Sequence, residues 1–167
     1  MKKSFENYPL SSVVLSNLFN MAVYALGAYL LLGFGYMAAL VYFIYCLYME
    51  FSVMKEGCIG CYYYGKTCFC GKGRLCPVIF KKGSPKVFEK ELNWMMFLPS
   101  FLVIIFPVVG GIILLVRAFD WMTLVLTAFI LPFYFIGNAV VHNYSCTHCK
   151  QREINCRVLD MFDGKKK

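Results

Sequence analysis

The residues best suited to chemistry are cysteines, of which this chain of 167 residues has nine. Six of them form two copies of the pattern C-x2-C-x6-C, offset by 88 residues (from Cys58 to Cys146). A C-x-x-C turn brings two sulfurs close enough to bind one ion, and thiolates are ligands of zinc and of iron–sulfur clusters. The pattern therefore predicts a metal-binding, or at least thiol-rich, site.

All cysteines except Cys46 are candidate ligands. Cys46 lies inside an apolar run, where a lone cysteine is best interpreted as a small packing residue. The remaining eight thiols match two tetrahedral four-thiolate sites. The predicted ligands are Cys58, Cys61 and Cys68 (the first knuckle), Cys146, Cys149 and Cys156 (the second knuckle), and Cys70 and Cys76, with His142 and His148 as additional candidates.

Spacing alone leaves the pairing and the metal open. Each knuckle could hold its own ion with Cys70 or Cys76 as fourth ligand, or the two C-x-x-C pairs could share one ion as in a zinc ribbon. Two zinc ions are the leading interpretation. An iron–sulfur cluster is the alternative, although the ferredoxin run C-x2-C-x2-C-x3-C is absent. Thiol redox chemistry ranks third, because the cytoplasm keeps structural thiols reduced.

A phosphate-binding pattern overlaps the first knuckle. Residues 60–67 match G-x-x-x-x-G-K-[ST]. A working P-loop needs a preceding strand, a loop of small residues and a following helix. Here an apolar helix precedes, three tyrosines fill the loop and more cysteines follow, so nucleotide binding is not predicted.

Four apolar runs must position the thiols. They cover Leu10–Leu32, Phe34–Met54, Met95–Val116 and Trp121–Val141, and none contains Lys or Arg. Each is long enough to cross a bilayer as a helix of about 20 residues. The predicted fold class is an all-α integral membrane protein. Its four transmembrane helices form two hairpin repeats, joined by turns at 33–35 and 117–120, and carry a small cysteine-rich, metal-binding cytoplasmic cap.

Domain boundaries follow from these runs. We expect an N-terminal tail with the first hairpin (1–54), a cysteine-rich loop (55–94), the second hairpin (95–142) and a cysteine-containing tail (143–167). Within the loop, Ser84-Pro85 is a helix-start signal, and Lys86–Trp94 is predicted to be a short helix on the membrane surface.

The distribution of basic residues predicts the orientation. Every Lys and Arg except Arg117 lies on the side of the termini and the central loop. Because positively charged loops stay in the cytoplasm, both termini and the cysteine-rich cap are predicted to be cytoplasmic. The net charge of +8 is then explained by topology and by contact with the lipid bilayer and its anionic lipids. Nucleic acid is therefore not a predicted partner.

Four polar residues near the cytoplasmic ends of the runs could line a small intramembrane pocket: Asn17, Asn20, Glu50 and Asn138. Ionisable groups at membrane depth are costly and are often functional. The interpretation we favour is that Glu50 reaches the interface and that the asparagines bond to other helices or to loop backbone.

The central loop contains C-x2-C-Y-Y-Y-G-K-x-C, then G-x-G and F-K-K-G, between Cys58 and Gly83. In this string the chain resembles a group of uncharacterised small prokaryotic four-span membrane proteins. The resemblance implies a prokaryotic cytoplasmic membrane and no particular activity. The four-span size is also similar to that of quinone-linked thiol oxidoreductases such as the vitamin K epoxide reductase family. Those proteins place their working cysteines on the outer face, where the turns of this chain have none.

The sequence therefore favours a membrane-anchored, zinc-binding scaffold or accessory subunit that presents a basic cap to a cytoplasmic protein partner. With two histidines and few carboxylates, no catalytic constellation is predicted. The alternative is a membrane redox module, in which thiolate-bound iron passes electrons to a quinone-like carrier.

Overall fold

The computed structural model describes residues 4–84 and 94–154. Its helices are α1 (Leu10–Leu32), α2 (Tyr36–Glu56), α3 (Lys72–Ile79), α4 (Trp94–Arg117), α5 (Trp121–Thr147) and α6 (Gln151–Ile154), with a 3-10 turn at Cys58–Gly60 after α2. Within these residues no strand forms, and the only β-type pairing is an isolated bridge between Phe5 and Cys149. The all-helical prediction is confirmed.

Four of the helices, α1, α2, α4 and α5, are long and apolar enough to cross a membrane, with mean hydropathies of 1.5 to 2.6. Most of their side chains do not pack inside the chain, since at most 28% of any of these apolar stretches is buried. An apolar exterior of this extent is typical of a surface that faces lipid. Each of the four predicted apolar runs is thus a helix that is long and apolar enough to cross a membrane.

The helix ends differ in part from the apolar runs. Helix α1 has the predicted bounds, but α5 continues from Val141 to Thr147. Polar residues end an apolar run without ending a helix, because only glycine and proline strongly disfavour helical backbone. Cys146 therefore lies on the last turn of α5. The predicted surface helix before Trp94, and Cys156, lie outside the described residues.

The two short connections are tight turns, as predicted. Gly35 joins α1 to α2 with φ of +107°, a conformation that glycine adopts without strain. Asp120 caps the start of α5, and its Oδ2 accepts hydrogen bonds from the backbone N–H and the hydroxyl of Thr123, both at 2.9 Å. These hydrogen bonds are local, which is why the turns could be read from the sequence.

The chain divides into two compact units. The helical unit contains residues 18–50 and, among those described, 94–140. The thiol unit contains residues 4–17, 51–84 and 141–154. Helices α1, α2 and α5 each contribute residues to both units.

Two buried clusters form the core of the helical unit. One joins α2 to α4 through Tyr42, Cys46, Met49 and Val103, with partly buried residues of α1 packed against it. The other joins α1, α4 and α5 through Leu30, Ile104 and Ile130. Cys46 is 1% exposed within the first cluster, where it acts as the predicted packing residue.

Prolines inside α4 are accommodated by tyrosines of α2. Pro107 has no N–H, so the carbonyl of Val103, four residues earlier, loses its usual helical donor. The hydroxyl of Tyr42 donates to that carbonyl at 2.9 Å, and Tyr45 donates to the carbonyl of Pro99 at 2.7 Å. In an apolar environment the hydrogen bond from Tyr42 satisfies a carbonyl that would otherwise be costly to leave unpaired. Tyr42 and Tyr45 are therefore packing and backbone-binding residues.

Candidate functional site: a thiol-lined cavity

The two C-x-x-C turns share a backbone hydrogen bond. The backbone N–H of Cys61 donates to the carbonyl of Cys58 at 3.3 Å, and that of Cys149 donates to the carbonyl of Cys146 at 3.4 Å. Each turn also follows, or ends, a long helix that leads into the thiol unit. The first turn begins with a 3-10 helix at Cys58–Gly60, whereas Cys146 is still part of α5, so the two segments share this hydrogen bond and differ in the structure around it.

A cavity of about 240 Å³ lies within the thiol unit. Cysteines of both knuckles line it, together with aromatic and small residues. The lining residues are Cys58, Cys61, Cys68, Cys70, Cys149, Tyr8, Tyr63, Phe69, Gly57, Gly73 and Ser145. Folding therefore places five of the eight predicted ligands around one space.

The Sγ atoms of Cys68 and Cys70 lie 3.5 Å apart. Two sulfurs bound to one zinc at about 2.3 Å in a tetrahedral site would be roughly 3.8 Å apart. A hydrogen bond from the Cys70 thiol lowers the pKa of Cys68 to about 7, and the backbone N–H of Gly73 adds a second donor at 3.1 Å. The same hydrogen bond, followed by burial, raises the pKa of Cys70. One sulfur of the pair is thus readily available as thiolate.

Gly73 lets α3 approach the tyrosine loop. A Cβ atom at this position would collide with the carbonyl oxygen of Tyr63 and stand 2.7 Å from that of Lys66. The Gly73 carbonyl also accepts a hydrogen bond from the N–H of Gly65 at 2.8 Å. This close approach holds the Gly73 N–H in place to donate to Cys68.

Two other predicted ligands lie outside the cavity lining. Cys76 is fully buried, with its Sγ 3.9 Å from the carbonyl oxygen of Met54, and burial raises its pKa. The Sγ of Cys146 lies 3.5 Å from Nε2 of His142. Among the described residues, no three His, Cys, Asp or Glu side chains converge in a metal-binding arrangement. The structure gathers the thiols without a fully formed coordination shell.

His148 belongs to an aromatic cluster rather than to the cavity lining. Its ring stacks on Phe5 with centroids 4.9 Å apart and an interplanar angle of 11°, and it lies 5.0 Å from the ring of Tyr144. Its Nδ1 is 3.0 Å from the carbonyl oxygen of Tyr144. These contacts orient His148 by stacking.

The N-terminal segment is the part of the site that the sequence analysis missed. The N–H of Phe5 donates to the carbonyl of His148, and the N–H of Tyr8 donates to that of Thr67, both at 2.9 Å. The hydroxyl of Tyr8, a residue 4% exposed, donates to the carbonyl of Ser145 at 2.6 Å. Residues 5–8 thereby bridge the central loop and the C-terminal region. The aromatic density of this segment was the available signal.

Glu6 adds a charged contact to the same bridge. Its carboxylate forms ion pairs with Lys66, at 3.4 Å, and with Lys150, and it accepts a hydrogen bond from the hydroxyl of Tyr62. The Lys66 ammonium also lies 4.0 Å from the centroid of the Tyr62 ring. Lys66, the lysine of the P-loop-like string, is thus paired with Glu6. A P-loop is followed directly by a helix, whereas the next helix here begins at Lys72.

The four residues of the predicted polar pocket belong to different units, Asn17 to the thiol unit and the others to the helical unit. Asn17, in the thiol unit, donates its amide to the carbonyls of Val13, at 2.8 Å, and Cys70, at 3.2 Å. In the helical unit, Asn138 donates to the carbonyl of Tyr134 at 2.8 Å, and Glu50 accepts from the hydroxyl of Tyr24 at 2.6 Å. Asn20 is half-buried. The described hydrogen bonds of both asparagines are to backbone carbonyls.

No family model, curated protein or solved structure matches the chain, so its function is argued from the cavity and the surface.

Proposed function

We propose that this protein is a multi-pass membrane protein whose thiol unit binds zinc as a structural element and presents a basic surface to a cytoplasmic protein partner. The observation that carries the proposal is a cavity lined by five cysteines, four of them from the two knuckles and the fifth Cys70. The membrane part is supported by four apolar helices with largely unburied side chains.

The donor set suits zinc. Sulfur is the donor of four-thiolate zinc sites, and the spacing of Cys68 and Cys70 is close to that of two sulfurs on one ion. The N–H of Gly73 gives the Cys68 thiolate an outer-sphere hydrogen bond of the kind that orients metal ligands. Cys58 and Cys61 would complete a four-thiolate set within the first knuckle, and Cys149 stands at the same cavity. Metal binding would draw these side chains together, since such sites commonly order on loading.

The test is elemental analysis of protein purified without oxygen. We expect bound zinc in the parent, loss of zinc in Cys68→Ser/Cys70→Ser, and unchanged zinc in the matched control Cys46→Ser, whose sulfur is buried in the helical unit. A parent protein free of metal under these conditions would contradict zinc binding. Retention of zinc by the double variant would assign the ion to other ligands.

An iron–sulfur centre is the second candidate, because the cavity has room for more than one ion. Its volume of about 240 Å³ is many times the roughly 10–15 Å³ that one water-sized sphere requires. In that case the protein would be a membrane electron-transfer module with a quinone-like partner. Acid-labile sulfide and visible absorption that bleaches on reduction would establish it, whereas a colourless zinc protein would exclude it.

A further inference from the structure

Helix α3 presents an apolar face that the thiol unit leaves uncovered. One side of the helix is buried at Gly73 and Cys76. On the other side Leu75, Val78 and Ile79 are 58%, 84% and 49% exposed. Residues separated by three and four positions share a helix face, so these three side chains form one continuous stripe.

Basic residues border this stripe. On the helix, Lys72 adjoins it on the side of Ile79, and exposed Arg74 adjoins it on the side of Val78. Lys81 and Lys82, both exposed, follow the helix. No Asp or Glu occurs between Gly57 and Ser84. An apolar face bordered by basic residues is typical of a helix at the surface of an anionic membrane.

Helix α3 and the residues just before it contact the ends of two long helices. The Sγ of Cys76 is 3.9 Å from the carbonyl oxygen of Met54, near the end of α2. The residues before α3 contact the first two turns of α1. Asn17 donates to the carbonyl of Cys70, and a Cβ atom on Gly71 would stand 2.8 Å from Cγ1 of Val13. Helix α3 is therefore level with the point where α1 and α2 would enter a bilayer.

We propose that α3 is a membrane-surface helix that binds anionic phospholipids. Leu75, Val78 and Ile79 lie among the upper acyl chains, and Arg74, Lys81 and Lys82 contact lipid phosphates. This proposal rests on the membrane insertion proposed above, but not on metal binding. It assigns the lipid contact to residues 72–82, a different segment from the predicted surface helix at 86–94.

Tryptophan fluorescence in vesicles tests the placement. Val78→Trp is introduced into a Trp94→Phe/Trp121→Phe background, and the full chain is reconstituted in phosphatidylcholine with phosphatidylglycerol. Because Val78 is 84% exposed, the larger ring need not displace protein atoms. We expect lipid brominated near the headgroup to remove most of the emission, and aqueous acrylamide to have little effect.

Phe135→Trp in the same background is the matched control, because Phe135 is an exposed aromatic residue in the middle of α5. If the control is quenched by lipid brominated deep in the acyl chain while Trp at position 78 is open to acrylamide, the inference is wrong and membrane insertion stands. Shielding of position 78 from both quenchers would also overturn it, in favour of a protein occupant. A control that no brominated lipid quenches would overturn insertion itself.

Selectivity for anionic lipid tests the proposed contact between the basic residues and lipid phosphates. Brominated phosphatidylglycerol should quench Trp at position 78 more strongly than brominated phosphatidylcholine at equal mole fraction. Arg74→Gln/Lys81→Gln/Lys82→Gln should abolish the difference while leaving the headgroup-level quenching. Equal quenching by the two lipids in the parent would refute a site for anionic lipid.

Discussion

Cys68 and Cys76 come from the same short stretch of sequence, but their surroundings differ. Cys68 lines the cavity and accepts the N–H of Gly73, whereas Cys76 is buried against the carbonyl of Met54. Both were predicted to be ligands from their sequence spacing. Cys68 therefore lies where the other lining thiols are, and Cys76 lies apart from them.

We therefore predict that Cys76→Ser retains the zinc of the parent and that Cys68→Ser loses most of it. A serine hydroxyl at position 76 can hydrogen-bond to the nearby carbonyl, so the fold should tolerate the change. Zinc content and circular dichroism of the two variants provide the measurement. Loss of zinc from folded Cys76→Ser would restore Cys76 to the ligand set.

Gly73→Ala should destabilise the thiol unit by roughly 1–3 kcal/mol, the usual cost of overpacking. The added methyl would meet the carbonyl oxygens of Tyr63 and Lys66, which are backbone atoms that cannot move aside independently. Arg74→Ala, one residue further on at an exposed position, is the control. Faster hydrogen–deuterium exchange at residues 61–73 in the first variant only is the expected result. Equal exchange in both would show that the loop has room to relax.

At the scale of elements, the N-terminal segment holds together two regions distant in sequence. It uses a buried aromatic residue, Tyr8, and an exposed ion-pair centre, Glu6. Exposed ion pairs contribute about 0–1 kcal/mol, whereas truncating a buried aromatic side chain costs about 3–5 kcal/mol. The aromatic contacts should therefore dominate the bridge.

Tyr8→Ala is predicted to open the cavity, and Glu6→Gln is predicted to leave it closed. The rate of cysteine alkylation in reduced protein that keeps its metal measures this, because a detached segment exposes Cys149 and its neighbours to reagent. The expected outcome is a clear acceleration in Tyr8→Ala only. A comparable acceleration in Glu6→Gln would mean that the ion pairs contribute more than their exposure indicates.

At the scale of the whole molecule, the two units should respond differently to loss of metal. The helical unit has apolar clusters of its own, whereas the thiol unit surrounds a cavity. Removing zinc with a chelator in reducing buffer should increase hydrogen exchange at residues 58–76 and leave most helical circular dichroism intact. Adding back zinc alone should return the hydrogen exchange of these residues to its original rate. Unchanged exchange would show that the aromatic contacts suffice.

The orientation is also a property of the whole chain. Because only Arg117 lies on the side of the short turns, we predict that fluorescent reporters fused to either terminus fold in the cytoplasm. Adding lysines beside Arg117 should weaken this preference. A reporter that is active only on the outer side would refute the predicted topology.

The sequence by itself determined the four long helices and the short turns between them, but not α3, which lies in the loop. Apolar runs of span length, a Gly33–Gly35 turn and an Asp120 cap depend on local composition and local hydrogen bonds, so α1, α2, α4 and α5 could be predicted. Their ends were less predictable, as the continuation of α5 to Thr147 shows. An apolar run ends at the first polar residues, whereas the helix can continue through them.

Only the tertiary structure decided which thiols share a cavity and what closes it. The spacing of Cys58, Cys61, Cys68 and Cys76 is compatible with several ways of grouping their sulfurs. These residues lie in a loop whose sequence has no regular periodicity, so the sequence does not show which side chains face the same cavity. The joining of Tyr8 to Ser145, and of Phe5 to His148, connects opposite ends of the chain. Such pairings depend on the path of the backbone through four long helices and the connections between them, which no local pattern encodes.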